Sequence, residues 1–288
     1  MAATGRRTFT LLIACPDRVG IVAAVAQFVA ANKGWIIEAN HHADEDSKWF
    51  FMRQQIVADS LPFDIETFRR RFADIAENFH MKWQVTDSAV RKRVVILVSR
   101  EDHCLSDLLH RWRNREFDID IPCVISNHER LRSFVEWHGI PYHHVEVTPE
   151  NKPAAFAEIE RLFNANRGEV MVFARYMQIL PNELCEKYFG RVINIHHSFL
   201  PSFMGAKPYH QAFKRGVKLV GATCHYVTPD LDAGPIIDQD VIRVDHGDSV
   251  DDMVRLGRDV EKAVLARGLR YHLEDRVIIH QHKTVVFQ

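Results

Sequence analysis

The sequence predicts an α/β protein in two domains. Residues 1–88 read as a βαββαβ, ferredoxin-like module, and residues 89–288 as a Rossmann-like, mostly parallel sheet. Three observations carry this expectation. Short apolar runs alternate with amphipathic stretches along most of the chain, the rhythm of strands and helices taken in turn. The 288 residues suit two domains at about 100–200 residues each. The polar stretch Ser88–Arg93 (SAVRKR) interrupts the pattern and marks a boundary.

In the first domain Thr8–Cys15 is apolar and rich in strand formers, and Asp17 stands where a helix cap would, ahead of helical spacing from Val19 to Ala31. Trp35–Asn40 and Trp49–Val57 read as strands joined by the polar turn Ala43–Lys48. Leu61–Phe79 spaces Phe63, Ile65, Phe68, Phe72, Ile75 and Phe79 on one helical side, and Met81–Val85 closes the module. That order implies an antiparallel sheet with its helices on one face.

In the second domain strands are expected at Val94–Val98, Ile119–Ser126, Tyr142–Val147 and Glu169–Ala174. Helices around Leu105–Arg113, Glu129–His138 and Pro153–Asn166 separate them, so the sheet is parallel and covered on both faces. Further strands are expected at Val192–Ile195 and Ala222–Val227, and Val277–Phe287 alternates like a two-stranded hairpin.

Composition narrows the function. There are 37 basic and 38 acidic side chains, so no global field favours nucleic acid or an anionic membrane. No apolar stretch approaches the roughly 20 residues that span a bilayer, and Met1–Thr8 lacks a signal-type apolar core. The five cysteines are scattered with no C-x-x-C pair, which suits a reduced, cytoplasmic protein. No two glycines stand two apart, so the G-x-G dinucleotide fingerprint is absent, and no glycine is followed by lysine, so the phosphate-cradling Walker loop is absent too. The doublets His41–His42, His143–His144 and His196–His197 do not make a metal site, because adjacent strand residues face opposite ways and no H-E-x-x-H pair occurs.

The chemistry concentrates between Arg191 and Asp238. Asn194 and His196, two apart at the end of a strand, project to one side. A second strand runs into Thr228–Pro235, which carries Asp230 and Asp232. Strand ends are where open α/β sheets bind ligands. An amide donor, an imidazole and a carboxylate suit reaction at a carbonyl: Asn steadies an oxyanion, His donates or shuttles a proton, and Asp orients water or holds His protonated. No serine or cysteine sits in a nucleophile motif, so water or an amine attacks directly.

The pattern Asn194-x-His196-x-Ser198-x-Leu200-Pro201, then Gly221-Ala222-Thr223-x-His225, then Asp232-x-Gly234-Pro235, resembles the folate-dependent formyltransferase family. The likeness runs over roughly residues 92–280 and includes Val124–Asn127 and Ala174–Leu180. It implies a formyltransferase-type sheet and the catalytic trio Asn194, His196 and Asp232. It also implies folate contacts at Met177, Gln178, Ile179, Leu180, Asp230 and Leu231, with Gly205 letting backbone pass close to the formyl group.

His197, where the family has proline, resembles its hydrolytic, deformylase branch. Cys15–Val22 (CPDRVGIV) resembles the opening of an ACT domain, the small module found ahead of that branch's catalytic domain. The segment Ser99–Cys104 lacks the glycines with which amine-formylating relatives receive a substrate phosphate. Together these imply hydrolysis of 10-formyltetrahydrofolate to tetrahydrofolate and formate, with folate as substrate and no cofactor. Formyl transfer to a small amine, or a non-catalytic folate or amino-acid sensor, is the alternative. The ACT resemblance further implies an amino-acid effector at Asp17, Arg18, Val19, Gly20 and Ile21, with Asn40 as a second contact. It implies as well a homo-oligomer, since a four-stranded sheet has edges needing cover.

Overall fold

The computed structural model describes residues 6–202 and 208–288. Its contacts divide the chain into two compact units, one running to Arg91 with Glu274–His280 and Val285–Gln288, the other Lys92–Leu273 with Gln281–Thr284. The expected boundary after residue 88 lies close to this break. The tail, expected wholly in the second domain, is instead shared between the units.

The front unit runs β1 (Thr8–Pro16), α1 (Ile21–Ala31), β2 (Ile36–Asp44), β3 (Trp49–Val57), α2 (Ile65–Asn78) and β4 (Lys82–Asp87). Its antiparallel sheet has the order β2-β3-β1-β4. Phe9, Leu11 and Ile13 of β1 join Val25, Phe28, Phe68 and Phe72 from the helices in one core. The intervening Leu12 and Ala14 meet Ile278, Val285 and Phe287 on the other face, which explains why β1 is apolar throughout rather than alternating.

Helix starts differ from expectation for local reasons. Gly20, at φ 101°, precedes α1, so the helix opens at Ile21 and Asp17 does not cap it; the Asp17 N–H donates instead to the Lys48 carbonyl. Asp64 caps α2 by accepting from the Thr67 N–H at 2.8 Å, which starts that helix after Leu61-Pro62-Phe63.

The second unit contains β5 (Lys92–Val98), α3 (His103–Arg113), β6 (Ile119–Asp120), β7 (Val124–Ser126), α4 (Arg132–Trp137), β8 (Tyr142–His144), α5 (Lys152–Ala165) and β9 (Val170–Phe173). It continues through α6 (Asn182–Lys187), β10 (Val192–His196), α7 (Pro208–Arg215), β11 (Leu219–Tyr226), β12 (Ile236–Arg243) and α8 (Val250–Leu273). The strand order is β12-β11-β10-β9-β5-β7-β8, with β6 beside β5. Pairings from β10 to β8 are parallel, and β11 and β12 add an antiparallel edge. Pro122 splits the expected strand 119–126 in two, since proline cannot donate to a ladder. The tail forms β13 (Val277–His280) and β14 (Lys283–Val286) as a hairpin.

The 24-residue α8 escapes the periodicity because its buried stripe includes Gly257, Glu261 and Gly268 among Met253, Val260, Val264, Leu265 and Leu269. Among the described residues no helix is long and apolar enough to cross a membrane. All five cysteines are free and buried.

Candidate active site

Two parallel pairings place the C-terminal ends of β5, β9 and β10 together, and the polar groups gather at that edge. On β10 the alternation of the strand turns Asn194 and His196 into one cavity. The register with β11 sets His225 opposite Asn194 and Thr223 opposite His196. Buried Thr223 accepts from the Leu200 N–H at 3.1 Å and donates to the Ser198 carbonyl at 2.9 Å, tying the turn after β10 to β11.

Asp232 arrives on the turn that follows β11. Its own φ is 55°, a left-handed conformation that aspartate tolerates better than most residues. Two residues on, a Cβ on Gly234 would lie 1.7 Å from the Tyr226 carbonyl oxygen, so only glycine lets the turn fold this tightly. The outcome is an Asp232 Oδ1 to His196 Nδ1 distance of 3.2 Å, with both side chains nearly buried. His196 Nε2, buried in turn, has no partner among the described residues.

Asn194 is held from the other side. The His225 Nδ1–H donates to the Tyr226 carbonyl at 2.9 Å, leaving Nε2 to accept from the Asn194 amide at 3.2 Å. Burial lowers the His225 pKa and keeps that ring neutral. One amide hydrogen of Asn194 is thereby used and the other remains for a ligand. His225 belongs to the Gly221-Ala222-Thr223-x-His225 motif, yet only the cross-strand register reveals its partner.

Two further shifts define the electrostatics. Burial pushes Asp232 up, but the hydrogen bond from His196 and the nearby His196, His225 and His197 outweigh it, holding its carboxyl below the usual range. His197 is pushed down to about 3, first by burial and then by Arg175, so it is a neutral imidazole. Its ring lies 5.2 Å from that of His196 and 6.1 Å from that of Tyr209.

The cavity holds about 230 Å³ and brings together Met177, Gln178, Ile179, Leu180 and Leu231 along its wall. Met177, Ile179 and Leu231 are more than half exposed, whereas Leu180 is core. Exposed apolar side chains around a polar floor are what a flat, largely apolar ring system would cover. Asp230 is exposed and does not line the cavity. Gly205 lies outside the described residues.

The residues expected to hold an effector do not all converge. Asp17, Arg18, Val19 and Gly20 are exposed on the turn into α1 and Ile21 is buried. Arg18 stacks over Phe79, 4.2 Å from the ring centre. Asn40 belongs elsewhere. It is level with Leu12 through Arg53, whereas the turn begins after Pro16, so it stands about 13 Å back along the sheet at 3.3 Å per residue. It donates instead to Glu38, which pairs with the fully buried Arg53.

Among the described residues, one group has metal-ligand spacing: atoms of His103, Cys104 and Glu261 lie within 4.8 Å of one another. Its chemistry is that of a hydrogen-bonded core. Glu261 accepts from the Tyr209 hydroxyl at 2.7 Å, meets His103 Nε2 at 2.8 Å and faces the Arg175 cation, while burial raises the Cys104 thiol well above its usual value.

Residues 92–269 match the formyl transferase family. Formyltetrahydrofolate deformylase of Synechocystis sp. is 45% identical over 97% of this chain and 98% of its own length. The crystal structure of a formyltetrahydrofolate deformylase from Pseudomonas syringae pv. tomato is 66% identical, with a TM-score of 0.98 over 100% of this chain and 96% of that one. A second, from Burkholderia mallei, is 43% identical with a TM-score of 0.93 over 98% and 100%. With the Asn194, His196 and Asp232 constellation standing in the matched region, the chain belongs to the formyl transferase family and, by likeness along its whole length, to the formyltetrahydrofolate deformylases within it.

Proposed function

We propose that this chain hydrolyses 10-formyltetrahydrofolate, with water attacking the formyl carbon and no cofactor besides the folate substrate. The observation that carries the mechanism is the His196–Asp232 pair with a free Nε2 in the cavity that also receives Asn194. His196 Nε2, protonated, and the spare Asn194 amide hydrogen donate to the formyl oxygen as it becomes an oxyanion. Asp232 steadies the imidazolium through Oδ1 and directs Oδ2 to the attacking water. Water's oxygen bonds to the formyl carbon, the C–N10 bond breaks, N10 takes one proton, and formate departs with the other released.

Water is preferred to an amine because three polar side chains of the segment after β5 are already engaged. Ser99 donates to Asn127 at 2.7 Å, Glu101 pairs with Arg258 and His103 with Glu261. That leaves a poor seat for a second, phosphorylated substrate. Purified protein given 10-formyltetrahydrofolate and no amine is expected to release formate and tetrahydrofolate in equal amounts. Strict dependence on an added amine would overturn the hydrolytic reading in favour of formyl transfer.

For the front unit the proposal is an ACT-like regulatory and assembly module. Support comes from its βαββαβ order, its β2-β3-β1-β4 sheet and the Gly20 turn at the start of α1. The amides of that turn offer a seat for an amino-acid carboxylate, without Asn40. The β2 edge exposes Trp35 and Ile37, which suits contact with a second copy. A cytoplasmic location agrees with five buried, unpaired thiols.

A further inference from the structure

We infer that Arg175 forms, beside Asn194 and His196, a subsite for the formate anion left by hydrolysis. The inference rests on the hydrolytic reading above and concerns what happens after the C–N bond has broken. Arg175 stands two residues after the end of β9 and adopts φ 65°, its carbonyl accepting from the Ser99 N–H at 3.2 Å. This unusual backbone turns the side chain inward, where it is only 12% exposed and lines the same cavity as Asn194, His196 and Asp232. It is the sole arginine or lysine among the described lining residues.

A buried guanidinium needs an anion, and Glu261 of α8 is near, but the fit is incomplete. Arg175 Nε lies 3.4 Å from Glu261 Oε2 and makes no hydrogen bond there. Both carboxylate oxygens already have closer partners, Tyr209 on Oε1 and His103 on Oε2. An arginine kept only to neutralise Glu261 would present its two-pronged edge to it. Here the closest approach of Glu261 is to Nε and is not a hydrogen bond, and neither Nη group hydrogen-bonds to a described residue. The buried Glu261, His103 and Tyr209 therefore act as a bracket that fixes the guanidinium without consuming its fork.

The reaction supplies what that fork lacks. Formate is a carboxylate born at the oxyanion donors, in a pocket that already holds the Asp232 charge. Two carboxylates in a confined space repel unless a cation stands between them. His225 and His197 are both neutral, and the His196 imidazolium is already paired with Asp232, so none of the three offers the anion a spare charge. A planar guanidinium can grip the two formate oxygens with parallel N–H donors.

The test is direct titration of formate, with 13C-formate observed by NMR, into protein saturated with tetrahydrofolate. A ligand of so few atoms binds at best with a Kd near about a millimolar. Wild type is expected to show saturable binding, and Arg175→Met to weaken it by about tenfold or more, as loss of a charge-assisted pair predicts. Tetrahydrofolate affinity should stay within about threefold, since that contact does not involve the fork. Arg175→Gln is read the same way if the methionine variant does not fold. Absence of formate binding in wild type, or unchanged formate affinity in a variant that still binds tetrahydrofolate, would overturn the subsite. Because binding is read without turnover, this result is separable from a failure of the hydrolytic reading, which the acceptor-free assay decides alone.

Discussion

Asp232 stands with its Oδ1 3.2 Å from His196 Nδ1, the shortest ion-pair contact it makes among the described residues. Asp232→Asn removes the charge while keeping the shape, so folate binding is expected to persist and kcat to fall on the order of 10²–10³, the scale of losing a transition-state donor. His196→Ala should fall at least as far. Near-normal turnover in either purified variant would require another assignment. His197 gives a pH signature. Its folded-state pKa of about 3 lies below the ordinary histidine value, so the unfolded chain binds the proton first as pH drops. Its contribution to stability is thus complete above about pH 6.5 and is lost as pH falls toward the folded value. In urea melts, His197→Gln should flatten the dependence of stability on pH between about 6.5 and 5 relative to wild type. An unchanged slope would mean that the ring titrates normally in the folded protein.

At the scale of elements, the turn after β11 is the most constrained feature of the site. A Cβ at Gly234 would collide with the Tyr226 carbonyl oxygen, so Gly234→Ala must displace the turn that carries Asp232. The expected loss of stability is about 1–3 kcal/mol by thermal or urea denaturation, and the loss of kcat should exceed what the folded fraction accounts for. Equal stability and activity would show that the turn tolerates the shift. The β10 strand was legible from sequence because alternation alone puts Asn194 and His196 on one side. Helix α8 was not, since Glu261 occupies a core position that only Tyr209, His103 and Arg175 make tolerable.

For the whole molecule, the ACT-like reading predicts assembly and regulation together. Light scattering at micromolar concentration is expected to give a multiple of the 33.4 kDa chain mass, and a monomeric mass would remove the assembly role. Calorimetric titration with the amino acids, glycine and methionine first, should find one that binds and shifts substrate affinity several-fold, a coupling of about 1–3 kcal/mol. Gly20→Leu should abolish it, because leucine resists the φ of 101° on which the turn depends. If no amino acid binds, the front unit is to be read as an assembly module alone.

What the sequence by itself determined is everything written in neighbouring residues. The alternation of strands and helices as far as β9, the strands β10 and β11, the shared side of Asn194 and His196 and the lack of a dinucleotide loop all follow from local periodicity and glycine placement. Tertiary structure decided the rest. Cross-strand register gave Asn194 its His225 partner and separated Asn40 from the α1 turn. Burial made His197 neutral, and a distant glutamate on α8 fixed Arg175 at the edge of the site. The return of Phe287 over Leu12 covered a face that the pattern alone assigned to no partner. Pairing, desolvation and charge compensation depend on residues far apart in the chain, and a local pattern carries no record of which ones will meet.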